Sequence, residues 1–146
     1  MLYQHTQFGL LIVVILGAAA ATCLIGAVLL RVALVRWGLA VVAIGLLGLA
    51  WVFSSLTVEV GQDRVAWYFG PGFWKYELPR SQVRSVAAVR NSWAHGLGIR
   101  IASGFRLYNV SGLDAVELRL DSGEIVRIGT DDPAGLTAAL QTPRNP

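Results

Sequence analysis

The sequence predicts a small β-rich domain hung from a membrane-spanning α-helical hairpin. The domain reads as a partly open barrel or sandwich of about seven short strands, plugged at one end by a C-terminal helix. Three observations carry this. Two stretches without any charged residue, Phe8 to Leu30 and Trp37 to Val58, lie back to back near the N-terminus. Beyond them the apolar residues alternate with polar ones in short runs broken by Gly, Pro, Asn and Asp. Then a single helix start, Thr130-Asp-Asp-Pro133, follows the last such run.

Each uncharged stretch is long enough, at about 1.5 Å per residue, to cross a hydrocarbon core of roughly 30 Å. The chain of 146 residues is 55% apolar and 14% charged with a mean hydropathy of +0.58, too hydrophobic for an ordinary soluble domain. The linker is Arg31-Val-Ala-Leu-Val-Arg36. Residues 1–58 are accordingly read as the anchor, with spans at 8–30 and 37–58. A cleaved signal peptide fits poorly: Met1 to Gln7 holds no Lys or Arg, the apolar run is long, and a second span follows. Cys23 sits among alanines as a small packing residue, and Thr22 before it is unsuited to a lipoprotein site. Ala18, Thr22 and Gly26 recur at helical spacing, a stripe that lets a second backbone approach; the simplest reading is packing of the two helices on each other. No ionisable residue lies inside either span, which disfavours a transporter or channel. Trp37, Trp51 and Phe53 stand toward the ends of the second span, as interfacial aromatics do. Orientation is nearly balanced, Arg31 and Arg36 on one side against Arg64, Lys75 and Arg80 on the other.

Residues 59–141 read as the domain and 142–146 as a tail. Val65, Trp67 and Phe69 alternate with Arg64, Ala66 and Tyr68; Gly70-Pro-Gly72 turns the chain; Trp74, Tyr76 and Leu78 alternate with Lys75 and Glu77. Val116, Leu118 and Leu120 share one face against Glu117, Arg119 and Asp121, and Asp121-Ser-Gly123 turns into Glu124 to Ile128. Leu56 to Val60, Val83 to Arg90, Ile99 to Ile101 and Phe105 to Val110 complete the strands. Ala134 to Gln141 is a short helix with an Asp cap and Pro133 in its first turn.

From Glu59 onward ten Lys or Arg face nine Asp or Glu, interleaved, so the net charge of +3 is no argument for nucleic acid. The two histidines, His5 and His95, are far apart and no metal-ligand spacing occurs. Asp131 and Asp132 at a helix start read as caps rather than a catalytic pair. No nucleophile and base, and no nucleotide loop, can be nominated. The sequence thus assigns no catalytic residue, no cofactor and no metal.

The most distinctive polar segment is Asn91-Ser-Trp-Ala-His-Gly-Leu-Gly98. Trp93 and His95 in a glycine-hinged loop, helped by Arg100 and Tyr108 in the following hairpin, are the candidate partner-binding residues. The plainer reading has Trp93 closing the end of the barrel.

Trp93-Ala-His-Gly-Leu-Gly-Ile-Arg100, Tyr108-Asn-Val-Ser-Gly112, Ala115-Val-Glu-Leu118 and Arg127-Ile-Gly-Thr-Asp-Asp-Pro133, with the order of elements, are similar to small bacterial pleckstrin-homology-like (PH-like) domain proteins that carry an N-terminal two-helix anchor. The resemblance implies a seven-stranded, partly open barrel capped by a C-terminal helix. It also implies an inner (cytoplasmic) membrane location with the domain in the cytoplasm, and a role in binding or assembly without catalysis. The alternative is a scaffold subunit of a larger membrane complex, held through its helices. Expected partners are the bilayer itself and a protein or a second copy. Phosphoinositides are not expected, because the loop Gly61-Gln-Asp63 lacks the clustered Lys and Arg of phosphoinositide-binding relatives.

Overall fold

The computed structural model describes residues 1–102 and 104–143, without the side chains of His95 and Ala102. The end of the expected tail, 144–146, lies outside the described residues. The chain runs β1 (Tyr3–Phe8), α1 (Leu10–Leu29), α2 (Ala33–Val52), β2 (Ser55–Val60), β3 (Arg64–Phe69), β4 (Phe73–Pro79), β5 (Val83–Arg90), β6 (Gly98–Ala102), β7 (Phe105–Asn109), β8 (Asp114–Leu120), β9 (Ile125–Gly129) and α3 (Pro133–Gln141).

The strands form two open sheets. One is four-stranded and antiparallel, in the order β1-β2-β3-β4; the other has the order β5-β8-β9-β7-β6, with β7 and β9 parallel. The two sheets and the C-terminal helix match the open, sandwich-like form of the expectation, but its count of about seven antiparallel strands is corrected: there are nine strands among the described residues, one pair of them parallel, and no closed barrel. The apolar sets read from period-two alternation do face inward. Leu56, Val58, Val60, Val65, Trp67 and Phe69 of the first sheet meet Val116, Leu118, Leu120, Val126 and Ile128 of the second. Leu136 and Leu140 of α3 close the open end.

That end is fastened twice. At the start of α3, Asp132 accepts the Gly135 amide at 2.9 Å, the expected cap, and also accepts the Tyr3 hydroxyl at 3.1 Å, while His5 meets Asp131. At its other end buried Arg80 donates to the carbonyls of Leu140 (2.9 Å) and Thr142 (2.7 Å), and to those of Gly61 and Gln62 in the β2–β3 turn. A cation against the last carbonyls of a helix also suits the negative end of its dipole.

β1 falls within the segment read as leader and anchor. It pairs with β2 along its whole length, from Tyr3 opposite Val60 to Phe8 opposite Ser55. The helical hairpin is therefore an insertion between two neighbouring strands of one sheet, and residues 59–141 alone do not make up the β domain. The junction is tight. The Gly9 amide donates to Ser54 O at 2.7 Å, and a Cβ on Gly9 would lie 2.5 Å from the Phe53 carbonyl oxygen.

The second helix is shifted from its expected span. It begins at Ala33, so Arg36 lies inside it, and it ends at Val52 rather than Val58. The linker Arg31 to Arg36 has no Gly or Pro to hold it out of the helix. Leu56 and Val58 continue the apolar run only because they face the core as strand residues. Both helices are long and apolar enough to cross a membrane, and only 11% of each apolar window is buried, unlike a core helix of a soluble domain. They pack on each other, with Gly26 close to Leu39, and the buried residues are Ala20 and Ala27 of α1 and Ala43 and Ala50 of α2. Ala18 and Thr22 of the expected stripe face outward.

Candidate functional site

The hairpin meets the domain at a collar of aromatic side chains. Phe53, at the C-terminus of α2, packs edge-on against Phe69 of the core (centroids 5.2 Å apart) and tilted against Trp74 (5.7 Å), while Trp51 meets Phe73 edge-on at 5.4 Å. The β3–β4 turn reaches this point because Gly70 lets its backbone approach the Val52 carbonyl, where a Cβ would stand 2.8 Å away. Trp51, Phe73 and Trp74 are nonetheless exposed. Trp74 is the one non-glycine residue among those described with a positive φ, 47°. A bulky residue there is strained, and such strain persists only where its surroundings over-determine it.

The loop after β5 begins at Asn91, which is buried. Its amide donates to Leu113 O at 2.7 Å and its side-chain oxygen accepts from Arg127 at 3.2 Å. Arg127 in turn lies over the Phe105 ring, 4.0 Å from its centroid, and pairs with buried Glu117 at 2.9 Å, which Arg119 also contacts at 2.9 Å. Burial raises the Glu117 carboxyl pKa, but the two guanidinium groups outweigh it and hold the group below the usual carboxylate range. A fixed ion network therefore sets where the loop departs.

Trp93–His95 forms a 3-10 turn closed by the Gly96 amide on Trp93 O at 3.1 Å. Trp93 is 72% exposed, so it does not close a barrel end. His95 belongs to the same turn; its side chain lies outside the described part of the structure. Gly96 and Gly98 both adopt positive φ, 67° and 93°, and bend the chain back along the hairpin. Leu97, Gly98, Ile99 and Arg100 then line a groove of about 390 Å³ together with Ile12, Ile15 and Leu16 of α1 and Leu49 and Phe53 of α2. Arg100 is exposed, and among the described residues no carboxylate pairs with it.

Tyr108 does not belong to this surface. It is 3% exposed, packed against Trp67 (5.3 Å) and Tyr76 (4.7 Å). Burial, and then Tyr76, raise its hydroxyl pKa. In the β6–β7 register Tyr108 stands opposite Ile99 and Arg100 opposite Leu107, so Arg100 and Tyr108 point to opposite faces of the hairpin.

Of the four residues chosen from sequence, the structure thus brings Trp93 and Arg100 to one exposed region, places His95 in the turn between them, and removes Tyr108 to the core. The residues missed were Phe53, Trp74 and the groove wall of α1 and α2. Their individual sequence contexts are those of ordinary apolar helix and strand positions, and only the fold of β1 and β2 around the hairpin brings them beside the loop. Chemically the site offers apolar walls, exposed indoles and one guanidinium. Comparison with protein-family models, curated proteins and solved structures finds no match to this chain.

Proposed function

We propose that this chain is a membrane-anchored, non-catalytic binding or assembly module, its hairpin in the inner membrane of a bacterium and its PH-like β domain on the cytoplasmic side. The observation that carries the reading is the insertion of the hairpin between β1 and β2. Both ends of the anchor are hydrogen-bonded into one sheet, so the domain is held firmly at the end of the helices, with Trp74 and Trp93 exposed beside them. The pairing of β1 with β2 also supports retention of α1. Strand richness, two facing sheets and a C-terminal helix at the open end support the PH-like reading, while the N-terminal strand and the parallel β7–β9 pair depart from simple antiparallel closure.

A second reading, a scaffold subunit held through its helices, is favoured by Gly38, Gly45 and Gly48, which face open space on α2. Purification of the full chain in mild detergent with identification of co-purifying proteins separates the two. Because Trp93 is exposed, Trp93→Ala is expected to leave the melting temperature unchanged and to weaken partner capture by about 2 kcal/mol or more if the loop is an interface anchor. A partner kept by Trp93→Ala and lost on Gly45→Leu shows the scaffold reading instead. A large fall in melting temperature from Trp93→Ala overturns the exposed-loop reading. Phosphoinositide-containing liposomes are expected to be bound no better than liposomes carrying the same content of another anionic phospholipid.

A further inference from the structure

We infer that the groove between α1, α2 and the start of β6 holds one anionic glycerophospholipid of the surrounding bilayer. One of its two acyl chains lies along Ile12, Ile15, Leu16 and Leu49, and its phosphate sits on Arg100. The inference rests on the membrane-anchored reading and names what the anchored domain binds.

Two walls of the groove are the exposed faces of the apolar helices, so the medium that fills it in a bilayer is lipid. Leu16 is six residues past the start of α1, about 9 Å along the helix, so the groove runs from the collar well into the hydrocarbon level. The loop carrying Leu97 thus descends beside the hairpin, and the exposed indoles of Trp51, Trp74 and Trp93 suit the interfacial level above it. Arg100 is held by strand pairing at the mouth, with its guanidinium beneath Gly96, where a Cβ would stand 3.2 Å from it. A guanidinium without a carboxylate, at the end of an apolar slot, is complementary to a phosphate followed by a hydrocarbon chain. The groove is an open slot along one side of the hairpin. Its volume of about 390 Å³ fits a small-molecule site, which typically spans roughly 300 to 1,000 Å³.

The test uses the full chain in vesicles of equimolar phosphatidylglycerol and phosphatidylcholine, released in mild detergent for native mass spectrometry. One phosphatidylglycerol per chain is expected to survive, enriched about fivefold over phosphatidylcholine, the effect of one basic residue at an anionic surface. Arg100→Gln is expected to bring the ratio to parity and Arg100→Lys to keep most of the enrichment. Leu16→Trp, which fills the slot, is expected to reduce both retained lipids together. Equal retention of the two lipids by the unaltered chain, or enrichment that survives Arg100→Gln, overturns the proposal. A chain that floats with the vesicles but shows no preference sinks the lipid site alone, whereas one that does not float sinks the membrane-anchored reading with it.

Discussion

Glu117 and Tyr108 show how single residues depart from what alternation predicts. Glu117 sits on the polar face of β8, as read from sequence, yet it is nearly as buried as the core residues flanking it, because Arg119 and Arg127 close over it. Tyr108 follows buried Leu107, so both faces of β7 are covered and parity alone says nothing about which residue is free to bind. Burial on both faces is a property of the second sheet's surroundings and is not written in five residues. The Glu117 network has a measurable consequence. Its folded pKa lies below the value of about 4.3 of a free glutamate, so its stabilisation is present above that pH and is lost as the pH falls through the folded pKa. Asp132, lowered first by the Gly135 amide and then by Tyr3, acts in the same direction. Chemical denaturation of the full chain in detergent is expected to show stability falling below about pH 4, and Glu117→Gln to flatten part of that fall while lowering stability at pH 7. An acid limb identical in the variant shows that the network does not carry the dependence.

Among the elements, those whose apolar residues keep one strict period were legible. β8 and the Asp132-capped α3 stand where the sequence put them, since a period of two and an N-cap need only local information. β1 was not, because Tyr-Gln-His-Thr-Gln-Phe carries few apolar residues and takes its strand conformation from pairing with β2, some fifty residues further along. The end of α2 was misread for the opposite reason: helix, turn and strand are all apolar there, and hydropathy has no boundary to mark. The groove inherits both failures, since its walls come from elements on either side of the misread junction. Gly9 tests that junction directly. Gly9→Ala places a methyl group 2.5 Å from the Phe53 carbonyl oxygen, and is expected to cost roughly 1 to 3 kcal/mol, the usual cost of forcing an extra carbon into a packed contact. Thermal melting of the full chain reads it. Gly17→Ala, in open space on α1, is the control without a clash and is expected to cause no loss of stability, since alanine is the better helix former.

For the molecule as a whole, the decisive feature is that one sheet grips both ends of the hairpin. Twenty-residue helices of about 30 Å match a hydrocarbon core with little to spare. In a hairpin that spans a bilayer, the turn at Leu30 to Val32 emerges on the face opposite the domain, and β1 and the β8–β9 turn must share a side. The charge count left orientation nearly balanced, because Arg31 and Arg36 oppose Arg64, Lys75 and Arg80. Connectivity contributes what that count lacks: the sidedness of the chain is a single binary choice, not two independent ones. In a Cys23→Ser background, single cysteines at Gln4, Leu30 and Ser122 report it through an impermeant maleimide applied to intact spheroplasts. Gln4→Cys and Ser122→Cys are expected to be protected and Leu30→Cys labelled. The reverse pattern moves the domain to the outer face and leaves the fold untouched. Labelling that splits Gln4→Cys from Ser122→Cys is incompatible with β1 pairing to β2, and so with the sheet on which the groove, the collar and the placement of Arg100 all depend.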